Sequence, residues 1–249
     1  GGSSTPPITT SSTAAVSSSS SSSVASSSVA SSAPSSSSSS SSSSAVSSVY
    51  SANVDSLKDL AIFPIGDAVS NNDSPSYNIL TNKSEQAVVE KHFNQMTAGN
   101  IMKMSYMHPS LNTFNFTNAD AFVDYAASKD ITIHGHALIW HADYQVPSFM
   151  KNWSGTSADF LTMLDTHVTT VVDHFETKTN LISWDVVNEA LNDSSPSTFR
   201  TDSAFWTKSG NSAVYIERAF QAARLAHPTV DLYYNDYNID QNNAKTTAL

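Results

Sequence analysis

Four stretches of the chain gather residue types that do acid–base or sugar chemistry. The most informative is Trp184-Asp185-Val186-Val187-Asn188-Glu189-Ala190, an apolar run that ends in Asn-Glu. A carboxyl group at an apolar strand end, beside an aromatic ring, can have a raised pKa and serve as a general acid. The Asn188 amide beside it can bond a sugar hydroxyl. The plainer alternative is that Glu189 caps a following helix. A second stretch, His134-Gly135-His136-Ala137-Leu138-Ile139-Trp140-His141, puts three histidines and a tryptophan around one strand. His134 and His136 share a face, because side chains on a strand alternate. In a sugar site Trp140 stacks on a pyranose ring and His136 donates to a hydroxyl. Otherwise these are a packed indole and a satisfied core histidine.

A His-x-His pair can also hold a metal in a barrel. Barrels that do so carry the pair on their first strand, and here it falls on the third, so no metal is expected. The third stretch, Thr97-Ala98-Gly99-Asn100-Ile101-Met102-Lys103, offers Asn100 and Lys103 to substrate oxygens, unless Lys103 is a solvated surface lysine. The fourth, Tyr234-Asn235-Asp236-Tyr237-Asn238, is a dense polar and aromatic cluster in which a buried Asp236 would be structural.

The elements that must position these residues alternate. Apolar runs predict strands over 61–65, 100–106, 131–140, 181–187 and 230–235. Helical patterns lie between them. Ser84 is the expected cap of a helix stopped by Gly99, and Asn118 the cap of the next. Thr156 with Asp159 resembles a capping box and opens a long helix through Phe160, Leu164, Val168, Val171, Val172 and Phe175. Tyr215, Ile216, Ala219, Phe220 and Ala223 line a helix ended by Pro228, and 244–249 begins another. Such alternation implies parallel strands with crossover helices, either doubly wound or closed into a barrel. No Gly-x-Gly-x-x-Gly follows the first strand, so a dinucleotide site gets no support. The polar clusters sit at C-terminal strand ends, where a barrel places its active site. Five strands are predicted; a barrel has eight.

Composition divides the 249-residue chain in two. Residues 1–54 carry no Asp, Glu, Lys or Arg, and 28 of residues 1–48 are serine. This tract is expected to be a disordered linker, having little apolar surface to offset the entropy of ordering. Residues 55–249 are expected to be the folded unit. The net charge of −10 belongs to them entirely, which argues against a nucleic-acid partner. There is no cysteine, hence no disulfide, thiolate nucleophile or Cys-ligated metal. No apolar run approaches the roughly 18 residues of a membrane span. The chain begins Gly1-Gly2 with no signal peptide, so the natural N-terminus is expected to be missing.

Taken in order, the motifs resemble glycoside hydrolase family 10, the endo-1,4-β-xylanases. The resemblance runs from Phe63 to the last residue. It rests on Phe63-Pro64-Ile65-Gly66, His92-Phe93-Asn94, Asn100-Ile101-Met102-Lys103, Gly135 to His141, Trp184 to Glu189, and Asn235-Asp236-Tyr237-Asn238. It implies an α/β (β/α)₈ TIM barrel, of which about the first five units are present, and a retaining mechanism without a cofactor. In that likeness Glu189 is the general acid/base. Asn188 binds the 2-hydroxyl of the sugar at the cleavage point, with His136 and Trp140 beside it. Asn100 and Lys103 meet the next sugar toward the non-reducing end, Gln145 matches a nearby glutamine, and Tyr237 is a further substrate contact. The implied partners are xylan and xylo-oligosaccharides.

There are departures. Gly99 stands where the family usually has a Glu that meets the second sugar. His134 stands where an Arg is expected, and Ala142–Tyr144 lengthen a loop. The nucleophile, a Glu ending the seventh strand, is expected beyond Leu249, so this chain alone is expected to be inactive. The serine tract is similar to linkers of secreted bacterial enzymes that attack plant cell walls. That likeness implies an extracellular protein, with a carbohydrate-binding module upstream as a candidate partner. Two rivals remain: a non-catalytic carbohydrate-binding protein on a decayed barrel, and a β-1,4-glucanase that shares Asn-Glu after the fourth strand. The His-Gly-His and Asn-Asp-Tyr-Asn stretches argue against the glucanase.

Overall fold

The computed structural model describes residues 55–71 and 77–249; the expected linker over 1–54 lies outside them. Five strands form one sheet: β1 (Gly66–Val69), β2 (Gln95–Ala98), β3 (Thr132–Trp140), β4 (Leu181–Asn188) and β5 (Asp231–Asn235). Their order in space is their order in sequence, and every neighbouring pair is parallel. A sheet that never reverses its order is wound in one direction only, as in an arc of a barrel rather than a doubly wound fold.

Helices α1 (Lys83–His92), α3 (Thr117–Ala127), α5 (Ser157–His174) and α7 (Val214–Ala226) make the crossovers. Short helices α2 (Met104–Met107), α4 (Ser148–Lys151), α6 (Ala204–Lys208) and α8 (Ala244–Ala248) sit in the loops after strands β2 to β5. The longest crossover, α5, shows why the sequence folds so. Thr156 and Asp159 make the expected reciprocal capping box, and Phe160, Leu164, Val168, Val171 and Val172 are buried along one face. Strand β4 is buried along nearly its whole length, as a parallel strand covered on both faces must be.

The first two strands differ from expectation. The run 61–65 is no strand: Leu60, Ile62 and Phe63 are exposed, and the Ile65 N–H donates to the Asn94 side chain. Pairing begins one residue later, at Gly66. Helix α1 stops at His92 instead of running to Gly99, and β2 occupies 95–98 with Met96 and Ala98 buried. Residues 100–103 are therefore the loop after β2, and the rest of the expected strand is α2. The cap of α1 is Asn82, whose side chain accepts from the Ser84 and Glu85 N–H groups. Helix α3 starts at Thr117, before Asn118.

Register brings the site residues together. Across β3 and β4, His134 lies beside Ser183, Gly135 beside Trp184, His136 beside Asp185 and Trp140 beside Asn188. Across β4 and β5, Asn188 lies beside Asn235. At Gly135 the strands leave no room for a side chain: an added Cβ would lie 2.2 Å from the Trp184 ring. Trp184 is fully buried and cannot turn aside.

Behind the sheet, two buried histidines meet. His167 Nε2–H donates to the Leu138 carbonyl at 2.9 Å, so its Nδ1 accepts from His108 Nδ1–H at 3.1 Å. That leaves His108 Nε2 buried without a hydrogen-bond partner. Burial pushes His108 down to about 3, helped by His167, and pushes His167 down to about 4.

Two outcomes are expected. Gly135→Ala lowers the unfolding free energy by about 3 kcal/mol in urea denaturation; a change below about 1 kcal/mol would show that the strands can part. The histidine pair binds fewer protons folded than unfolded, so its contribution is complete above the ordinary histidine range, near 6.5. It is lost as pH falls from there through about 4 and on to about 3. The thermal midpoint should drop over that window, and less steeply in His108→Gln.

Candidate active site

The C-terminal ends of β3 and β4 carry a connected set of polar groups. Glu189 follows β4 directly and has a left-handed backbone, with φ 54°. For a non-glycine residue that conformation costs roughly 1–2 kcal/mol. It turns the chain out of the strand: the Glu189 N–H donates to the Asn235 carbonyl at 2.8 Å. Trp140 Nε1–H donates to Glu189 Oε2 at 2.9 Å. No helix begins here, since α6 starts at Ala204 on its own Ser203 cap. The reading of Glu189 as a helix cap is thereby excluded.

Asn188 is buried, and its side-chain amide meets that of Asn235 at 2.8 Å. Turned to satisfy its neighbours, its oxygen accepts from Trp140 Nε1 at 3.1 Å. The indole N–H thus sits between the Glu189 carboxylate and the Asn188 amide.

Asp185 Oδ2 takes both histidines of β3, His136 Nδ1 at 2.8 Å and His134 Nε2 at 3.0 Å. A carboxylate only accepts, so those nitrogens carry the protons. Ser183 Oγ lies 2.7 Å from His134 Nδ1. Burial pushes the Asp185 carboxyl up, but the two imidazoles outweigh it and hold it below the usual aspartate range. These histidines are spoken for by a carboxylate, and no group of three or more His, Cys, Asp or Glu among the described residues is arranged to hold a metal ion.

The loop after β2 supplies the next layer. Lys103 is buried, against the alternative of a surface lysine; its Nζ lies 4.7 Å over the Trp140 ring and donates to Asn100 Oδ1 at 2.9 Å. Gln145 Nε2 donates to the same oxygen at 3.2 Å, and Ser105 Oγ donates to Gln145 Oε1 at 2.9 Å. Asn100, Lys103, Gln145, Trp140, Asn188 and Glu189 are therefore continuous, and His136 stands 6.2 Å from Trp140 ring to ring. Tyr144, on the lengthened loop, stands exposed and edge-on to Trp140 at 5.7 Å.

Tyr237 is apart from this set. It lies beneath Lys245 Nζ, 4.1 Å from the ring centre. Lys245 is buried and bonds Asp236 Oδ1 at 2.5 Å and Asp193 Oδ1 at 2.9 Å. Asp236 is structural, as the plainer reading had it. Burial alone would raise the Asp193 carboxyl, but Tyr237, Arg200 and Lys245 hold it well below the aspartate range. Arg200 and Lys245 had no signal in the sequence, since nothing in their spacing ties them to Glu189.

A singly wound parallel sheet with a carboxylate, amides, an imidazole and an indole at its C-terminal strand ends is the arrangement of an arc of a (β/α)₈ barrel with its site at the C-terminal face. Residues 55–249 match Glycosyl hydrolase family 10, and the chain belongs to that family. Endo-beta-1,4-xylanase Xyn10C of Cellvibrio japonicus is 71% identical over 203 residues, covering 80% of this chain and 34% of the relative. The solved structure of native xylanase10C from the same organism matches with TM-score 0.77 and 71% identity, over 80% of this chain and 42% of that one. A variant of it in complex with xylopentaose matches equally well, over 80% and 40% of the two chains. The chain spans about a third of the length of the curated relatives it matches.

Removing the Lys245 amine leaves the Asp236 carboxylate buried and unpaired. Lys245→Met is expected to cost about 3 kcal/mol of stability by chemical denaturation. An unchanged midpoint would show that the ion pairs here do no structural work.

Proposed function

We propose that the protein is an endo-1,4-β-xylanase that hydrolyses internal β-1,4-xylosidic bonds with retention, Glu189 serving as general acid/base. One observation carries this reading. At the end of β4 the Glu189 carboxylate accepts from Trp140 Nε1 at 2.9 Å, with the Asn188 amide adjacent. An acid/base must hold a fixed direction toward the glycosidic oxygen, and the indole N–H gives it one. Glu189 protonates the leaving oxygen, then takes a proton from water when the glycosyl-enzyme is hydrolysed. Asn188 and the His136–Asp185 pair bind the sugar at the cleavage point. Asn100, Lys103 and Gln145 bind the next sugar. Gly99 leaves that second position without the carboxylate usual in the family and weakens it.

Retention needs a second carboxylate about 5–5.5 Å from the first. Among the described residues, Glu85 and Glu90 lie on α1, Glu217 on α7 and Glu176 just past α5, all in the outer layer. In this reading the nucleophile comes from a later strand, outside residues 1–249. The serine-rich residues 1–54 precede a catalytic unit over 55–249. The protein acts outside the cell on xylan, with an upstream carbohydrate-binding module as its partner. No described helix is long and apolar enough to cross a membrane.

Purified residues 1–249 should release no sugar from xylan. The full-length protein should, and Glu189→Gln should lower that activity by about 10²–10⁴-fold. Turnover by 1–249 that Glu189→Gln abolishes would overturn the assignment of a missing nucleophile. Release of cello-oligosaccharides from a β-1,4-glucan, with no product from xylan, would indicate a glucanase, and binding of xylo-oligosaccharides without turnover by any form would indicate a binding protein.

A further inference from the structure

The turn that carries Glu189 is held at every backbone polar group the structure pairs there. The Glu189 N–H is taken by Asn235. Its carbonyl accepts from Arg200 Nε at 2.9 Å, and the Ala190 carbonyl accepts from the Arg200 N–H at 2.8 Å. The Ala190 and Leu191 N–H groups both donate to the Tyr234 hydroxyl, at 3.0 and 3.2 Å. That hydroxyl donates in turn to Asp236 Oδ2 at 2.6 Å. Its one donor and two acceptor capacities are all in use.

The two clamps are joined behind the turn. Arg200 Nη2 pairs with Asp193 Oδ2, Asp193 Oδ1 with Lys245, Lys245 with Asp236 Oδ1, and Asp236 Oδ2 with Tyr234. The path leaves the Glu189 turn through Arg200 and returns to it through Tyr234. It uses only charged or hydroxyl groups, from the loop after β4, from β5 and the loop after it, and from α8. A left-handed glutamate persists only when its surroundings over-determine it, and this circuit does so.

We propose that Arg200 and Tyr234 are positioning residues for the acid/base: by fixing the strained turn they aim the Glu189 carboxyl at the glycosidic oxygen. This rests on the reading of Glu189 as acid/base. A positioning defect has a signature that a folding defect lacks. Protonation matters for a sugar leaving group and hardly at all for dinitrophenolate, which departs unaided. A misaimed acid therefore lowers kcat/KM, which reports the first step, for xylopentaose and spares it for a dinitrophenyl β-xylobioside; the second step, in which Glu189 is the base, is common to both substrates and enters kcat alone.

The test measures kcat and KM for both substrates in the full-length protein and in its Tyr234→Phe, Arg200→Lys and Glu189→Ala variants. Phenylalanine keeps the ring and removes only the hydroxyl; lysine keeps the charge and removes the fork. Each positioning variant is expected to lose about 10-fold or more in kcat on xylopentaose with KM within about twofold, and to change kcat/KM for the aryl substrate by less than about threefold. Parallel losses of kcat/KM on both substrates, or no loss on either, overturn the proposal. Should Tyr234→Phe fail to fold, Arg200→Lys decides by the same criterion. Glu189→Ala separates the two levels: if it spares kcat/KM for xylopentaose, or lowers kcat/KM alike for both substrates, the acid/base reading itself fails, whatever the other variants do.

Discussion

The pairing of β3 against β4 is the constraint on which the rest of the site depends. With Asp185 set beside His136, one carboxylate oxygen holds two imidazoles of the neighbouring strand. Further along the same register, Trp140 falls beside Asn188, and its indole reaches both that amide and Glu189. A slip of one residue would turn every one of these side chains to the opposite face. The site is thus a property of strand alignment as much as of residue type.

Two kinds of support meet at Glu189. The indole of Trp140 fixes the carboxylate from the substrate side. A network of ion pairs and hydroxyls, closed through Lys245 and Tyr234, fixes the backbone from behind. Lys103 links the first kind to the loop after β2 by lying over the same indole while holding Asn100. Three successive strand-end loops therefore share one aromatic ring as their common surface. Two imidazoles hold the Asp185 carboxyl, and Tyr237, Arg200 and Lys245 the Asp193 carboxyl, below the usual aspartate range against the effect of burial.

Much of this was legible in the sequence where the physics is local. Thr156 and Asp159 announce α5 because a capping box lies within four residues of chain. Strand β4 reads clearly because a strand buried on both faces is apolar almost throughout. The strand end at Asn188-Glu189 follows from the same run. Strands β1 and β2 were less legible. The apolar run 61–65 is an exposed flank, and whether such a run pairs is decided by a partner dozens of residues away. Lys103 is offered to substrate by its own stretch, with a solvated surface lysine as the alternative, but nothing in that stretch reveals the Trp140 ring beneath its amine. Arg200 and Lys245 escaped for the same reason: their partners are acidic groups and carbonyls gathered by the fold.

The contact of Gly135 with Trp184 has a consequence for how this protein can change over time. The two positions face each other across adjacent strands with no free space between them, beside the pair that holds His136 to Asp185. A larger residue at 135 is admissible only once the ring at 184 has gone, and losing that fully buried ring first leaves a void in the core. Variation at either position is conditional on the other. Among related chains the two sites would be inherited as a single character, and the histidines that flank the glycine are anchored along with it.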